Sequence, residues 1–143
     1  MEPRIRRFEK EKKLVPTIQI NDTYEDMNIS SDITLTIPKT YPFRPPLLKI
    51  KGMFYITYLE RGFRLFKPFI EKYKINTHYT CCLCCSSVSG DNWTPCFGLK
   101  EVLQEYKKYS SILNTIGIAK LVLTNLNMDD LIHSTILSFL LYP

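Results

Sequence analysis

All five cysteines of the chain fall within "CCLCCSSVSGDNWTPC", residues 81–96. Three kinds of chemistry suit such a cluster. One cysteine could act as a nucleophile, because a thiolate forms covalent intermediates readily. Cys81 with Cys84, or Cys82 with Cys85, forms a C-x₂-C pair that is half of a zinc site, and His78 or Cys96 could supplement it. Structural zinc normally takes a second pair of the same kind, and the sequence has none. Disulfides are the third option, although neighbours such as Cys81 and Cys82 bond to each other only with strain. Cys81 and Cys85 also fit a plain packing role as small apolar side chains, and His78 fits an ordinary surface position.

The surroundings of the cluster favour metal or catalysis over disulfides. The N-terminus is charged rather than apolar, so no signal peptide is expected. No apolar run reaches the ~18 residues of a membrane span. A reducing cytoplasmic or nuclear compartment follows as the expectation, without membrane association, and clustered cysteines there seldom pair. With 143 residues, 45% of them hydrophobic, the chain can build one core and reads as a single domain over 1–143. The net charge of +5 is uneven: Arg4, Arg6, Arg7, Lys10, Lys12 and Lys13 crowd the start. Such a run suits a solvated helix face or a dock for an acidic protein. No RNA-binding signature or glycine-rich phosphate loop points to nucleic acid.

The elements that must position the cluster follow from periodicity. "PRIRRFEKEKK" (3–13) reads as a helix opened by Pro3 and stopped by Pro16. "TIQIND" (17–22), "EDMNIS" (25–30), "DITLTIP" (32–38) and "LLKIKG" (47–52) read as strands, the third with Ile33, Leu35 and Ile37 on one face. "KTYPFRPP" (39–46) has too many prolines for helix or regular strand. Leu59, Phe63, Phe66 and Ile70 predict a helix within 53–73, against the breakers Gly62 and Pro68. "FGLKEVLQEYKKYSSIL" (97–113) predicts the strongest helix, residues 115–126 are apolar and helical in pattern, and 127–143 reads as a final apolar helix capped by Asn127 or Asp129. The class is therefore α+β: an N-terminal helix, a four- or three-stranded antiparallel meander, the cysteine segment, and C-terminal helices.

"TIPKTYPFRPPLLKI" (36–50) resembles the ubiquitin-conjugating enzyme family, in which a strand ends in proline and Tyr-Pro-Phe, one residue and Pro-Pro lead to the next strand. Tyr41, Pro42, Phe43, Pro45 and Pro46 match. The family also carries a Trp-x-Pro followed by an apolar turn into a helix, as in "NWTPCFGLKEVL" here. In one branch an Asn lies eight residues before the catalytic cysteine and a Trp nine after it; Asn76 and Trp93 stand so about Cys84. The chain departs in four places. The region before Ile33 is shorter by roughly one strand and loop. Lys74-Ile75 replaces the family's His-Pro before the Asn. Residues 53–73 look like an inserted helix. The stretch 114–143 matches only in being helical.

The resemblance implies an enzyme that accepts ubiquitin or a ubiquitin-like modifier from an activating enzyme as a cysteine thioester and passes it to lysine, without a cofactor. Cys84 would carry the thioester, with Cys82 second, because Cys82-Leu83 reproduces the family's Cys-Leu pair. Asn76 would stabilise the oxyanion, with Asn92 a weaker substitute, and Asp91 lies near enough in sequence to assist the lysine. Arg6, Arg7 and Lys10 would meet the activating enzyme, and Phe43, Pro95 and Cys96 the ubiquitin ligase. An inactive binding module of the same fold, or a small zinc-binding interaction protein, are the alternatives.

Overall fold

The computed structural model describes residues 2–74, 86–88 and 92–125. The chain forms two compact units: Met1–Tyr58 with Leu83–Tyr106, and Leu59–Cys82 with Lys107–Pro143.

The first unit opens with helix α1, Pro3–Glu11, extended by a 3-10 turn at Lys12–Leu14. Pro3 sits in the first turn, where a missing N–H costs nothing, and Lys10 in the last turn complements the helix dipole. Phe8 points inward, fully buried, edge-on to Tyr24. Arg4 donates from Nη1 to the Ile37 carbonyl at 3.1 Å, tying the helix to the end of a strand.

The sheet holds β1 (Met27–Asn28), β2 (Ile33–Thr36), β3 (Leu47–Ile50) and β4 (Met53–Phe54), all antiparallel in that order. Leu35 pairs with Leu48 and Ile33 with Ile50. Met27, Leu35, Leu48 and Ile50 are buried on one face, as strand alternation requires. On the other face Lys49 pairs with Asp26 at 2.8 Å and lies over the Phe54 ring.

The strand expected at 17–22 is absent; only an isolated bridge links Gln19 to Asn28. The reason lies in which residue reaches the core. Val15 is buried, while Ile20 stays 43% exposed, so the alternation of 17–22 has no apolar face to bury. The fourth strand is instead β4, made by a two-residue turn at Lys51 and Gly52. Both have positive φ, 51° and 77°, as a tight hairpin of this hand demands. Gly52 thus turns the chain rather than ending the sheet.

Residues 38–46 make the irregular corner between β2 and β3. Its amides are satisfied locally: Tyr41 N–H donates to Pro38 O and Phe43 N–H to Thr40 O.

Helix α2, Tyr55–Lys72, starts directly after β4 and runs through Gly62 and Pro68. Helix α3 spans Leu99–Asn125 as one element, where two separate segments were expected on either side of Asn114. The second unit is built from Leu59 onward in α2 and Lys107 onward in α3. Leu59, Phe63 and Ile70 are buried at the predicted spacing, and Phe69, Ile70, Ile116, Ala119 and Leu123 form a core with Phe66 against it. Gly117 lets Phe66 approach: a Cβ there would lie 3.4 Å from its Cζ. That close contact explains why a glycine stands inside an unbroken helix. The final helix expected at 127–143 lies outside the described residues. No helix among the described residues is long and apolar enough to cross a membrane.

Candidate functional site

The Tyr-Pro-Phe corner and the Trp-x-Pro stretch meet. Trp93, 8% exposed, donates its indole N–H to the Pro42 carbonyl at 2.8 Å. Its ring lies 6.5 Å from Tyr41 and packs edge-on to Phe97 at 5.9 Å. Burial of an indole needs a partner for its N–H, and the prolines hold the Pro42 carbonyl in a segment without ladder bonds.

Beneath this joint lies Glu11. Its carboxylate accepts from the Tyr41 hydroxyl, from Arg7 Nε, and from the Leu99 backbone N–H at 3.0 Å. Arg7 also reaches the Phe97 carbonyl at 3.3 Å. The first turn of α3 is therefore capped by a side chain from α1, and Glu101 completes the cap by accepting from Gly98 N–H at 2.8 Å. Gly98 has no side chain because Glu11 fills the place: a Cβ would lie 2.7 Å from Glu11 Oε1. Hydrogen bonding to Glu11 pushes the Arg7 pKa up. Burial, then the bond to Glu11, pushes Tyr41 far above the ordinary tyrosine value, so it stays a neutral donor.

On the downstream side of the cysteine cluster, Ser86 and Val88 are buried. Ser86 Oγ donates to Glu105 on α3 at 2.9 Å, and Ser87 donates to the same carboxylate from its backbone N–H at 2.6 Å and its Oγ at 3.0 Å. Asn92 donates its side-chain amide to the Ser86 carbonyl at 3.1 Å, so the weaker oxyanion candidate is engaged with the backbone.

The remaining predicted residues divide into three groups. Phe43 is 76% exposed, and Pro95 and Cys96 are exposed, the last as a free thiol. Phe43 follows Pro42 directly, and Pro95 and Cys96 follow Trp93 closely, so both exposed segments leave the same joint. Arg6 and Lys10 are exposed on α1, whereas Arg7 is committed to Glu11 and Phe97. Asn76, Cys82 and Cys84, with Cys81, Cys85, His78 and Asp91, lie outside the described residues. Among the described residues no group of three or more His, Cys, Asp or Glu side chains could hold a metal ion.

The hydrogen-bonding roles of Glu11 and Glu105 were not legible in the sequence. Apart from Arg7 one helix turn away, Glu11 meets Tyr41 and Leu99 at 30 and 88 residues and Glu105 meets Ser86 and Ser87 at 18–19, and each looks like one more charge on a charged helix. The only local sign is Gly98 followed three residues later by Glu101, a helix-start pattern. No family model, curated protein or solved structure matches this chain.

Proposed function

We propose that this chain is a divergent ubiquitin-conjugating enzyme, working in a cytoplasmic or nuclear, reducing compartment where its thiols stay free. The observation that carries the reading is the Trp93–Pro42 hydrogen bond. It joins the two stretches on which the resemblance rests, and it leaves Phe43, Pro95 and Cys96 exposed beside the joint as a ligase would need them. Both stretches belong to the sheet-bearing unit. Most of the two segments that depart from the family, 53–73 and 114–143, falls in the helical unit.

In this reading the Cys84 thiolate attacks the thioester carbonyl presented by the activating enzyme. A new S–C bond forms and the donor's thiolate leaves. A lysine amine then attacks the Cys84 thioester, the amide forms, Cys84 leaves as thiolate, and the amine's proton passes to solvent. The Asn76 amide donates to the oxyanion of that second step, a contact whose loss costs about 10²–10³ in rate. Arg6 and Lys10 supply the charge that meets the activating enzyme, with Arg7 holding the helix in place.

The test is a charging assay with activating enzyme, ATP and ubiquitin, read on a non-reducing gel. Wild type should give an adduct that reductant removes. Cys84→Ala should abolish it, Cys84→Ser should trap a stable ester, and Cys82→Ala should charge. Exchange of the Cys84 and Cys82 results moves the nucleophile to Cys82. No adduct from wild type with any ubiquitin-like modifier overturns the enzyme and leaves the binding module.

A further inference from the structure

We infer that Glu11 is a positioning residue for the surface made by Phe43, Pro95 and Cys96, setting the two turns that carry it against each other; that this surface meets a ligase is the reading proposed above, on which the inference rests. The first turn is closed by Phe43 N–H donating to Thr40 O at 2.8 Å, and it contains Tyr41. The second is closed by Phe97 N–H donating to Thr94 O at 3.0 Å, and it contains Pro95 and Cys96. Neither turn belongs to a helix or strand, so no ladder of backbone bonds steadies either one.

Two attachments join the turns. Trp93, next to the second turn, donates to the carbonyl of Pro42 in the first. One hydrogen bond is a hinge: it fixes a distance and leaves rotation about itself. The Arg7–Glu11 pair on α1 supplies a second attachment, and it reaches both turns. Glu11 Oε2 accepts from the Tyr41 hydroxyl in the first turn. Arg7, bonded to Glu11 Oε1, donates from Nη2 to the Phe97 carbonyl in the second at 3.3 Å. Oε2 also accepts the Leu99 N–H at 3.0 Å, two residues past that turn. Bonds to an ionised acceptor are stronger than those between neutral groups. The Glu11 side chain is only 12% exposed, so it acts through Tyr41 and Arg7 rather than by contact with a partner. A partner that touches Phe43 and Cys96 together finds them already placed, and less freedom is lost in ordering them on binding.

The experiment is native-state amide hydrogen exchange on the full chain, followed by NMR, for wild type, E11A, E11Q and Y41F. It uses no partner, modifier or thiol chemistry. The amides of Phe43 and Phe97 report the opening of the two turns, and the ladder amides of β2 and β3 report global unfolding. E11A should speed exchange of both turn amides about tenfold relative to the ladder amides, the effect of losing a bond to a charged acceptor. Y41F, which cuts only the tie to the first turn, should speed Phe43 and spare Phe97. E11Q keeps one oxygen for Tyr41 and sets amide N–H groups against Arg7, so it should speed Phe97 more than Phe43. A role in stability alone predicts a different pattern: the ladder amides speed up and the turn amides keep their rates. That pattern in E11A and Y41F overturns the inference. An effect confined to Gly98 and Leu99 also overturns it, since Glu11 would then be a helix cap and nothing more. If E11A fails to fold, as the emission of Trp93 reports, Y41F decides: Phe43 exchange equal to wild type overturns the inference. A wild type that accepts no modifier overturns the proposed function, a separate result that changes none of these rates.

Discussion

Replacing Gly98 with alanine should destabilise the sheet-bearing unit, and only while Glu11 is present. The new methyl would meet Glu11 Oε1 at 2.7 Å and its Cδ and Oε2 at 2.8 Å. A carboxylate at the end of a side chain normally swings aside cheaply. This one cannot, because it accepts from Arg7, from the buried Tyr41 hydroxyl and from the Leu99 N–H. Losing a charge-assisted bond to a buried hydroxyl costs about 1.5–3 kcal/mol and losing a cap costs about 1 kcal/mol. Alanine returns roughly 0.4–1 kcal/mol by restricting the unfolded chain, and Gly98 does not use the positive φ that would forbid it. The net expectation is a loss of about 2 kcal/mol. In an E11A background the three atoms nearest that methyl are gone, so G98A should be neutral or stabilising by up to about 1 kcal/mol. The coupling in the four-variant cycle is then about 2–3 kcal/mol. Urea unfolding followed by the emission of Trp93, the only tryptophan and part of the same unit, measures each corner of the cycle. A neutral G98A in the wild-type background, or an equal cost in E11A, would refute the trans-capping account.

Three further outcomes are expected. Tyr41→Phe should lower stability at pH 7 by about 1–3 kcal/mol; because the folded pKa of Tyr41 is raised, its contribution is fully present below pH 10 and fades above it, so urea midpoints of the two proteins should converge as pH rises past 10. Phe43→Ala, at a 76% exposed position, should leave stability within about 0.5 kcal/mol, yet weaken binding to a cognate ligase at least tenfold by calorimetry. Charge reversal at Arg6 and Lys10 should slow charging more at low salt than at high salt, because exposed charges are screened beyond about 8–10 Å at physiological ionic strength; an equal rate at low salt would leave α1 a solvated face.

Sequence pattern reached the parts of the fold where local preference and burial agree. Ile33, Leu35 and Ile37 alternate and the strand forms there; Leu59, Phe63, Phe66 and Ile70 step by three and four and the helix forms despite Pro68. Pro68 is exposed on that helix, so its ring intrudes on no core packing. At 17–22 the pattern misled, since alternation says which residues could share a face and nothing about whether a face awaits them. β4 was hidden because Lys51 occupies a positive-φ position that asparagine or glycine usually advertises. In the site, the exposed Phe43 and the buried Trp93 could be read from their motifs. The Glu11 carboxylate that ties Tyr41 to the start of α3 could not, because a hydrogen bond across 88 residues leaves no periodic trace.

Two of the three boundaries between the units fall inside helices, at Tyr58–Leu59 in α2 and at Tyr106–Lys107 in α3. Modular proteins usually gain a part through a linker, which can be cut with little harm. Here the same two helices serve both units, and a cut at either boundary would open a helix at an interior turn, stranding about four amides and four carbonyls that lose their partners. Neither helix therefore offers a clean place to end a shortened version that keeps only the sheet-bearing unit.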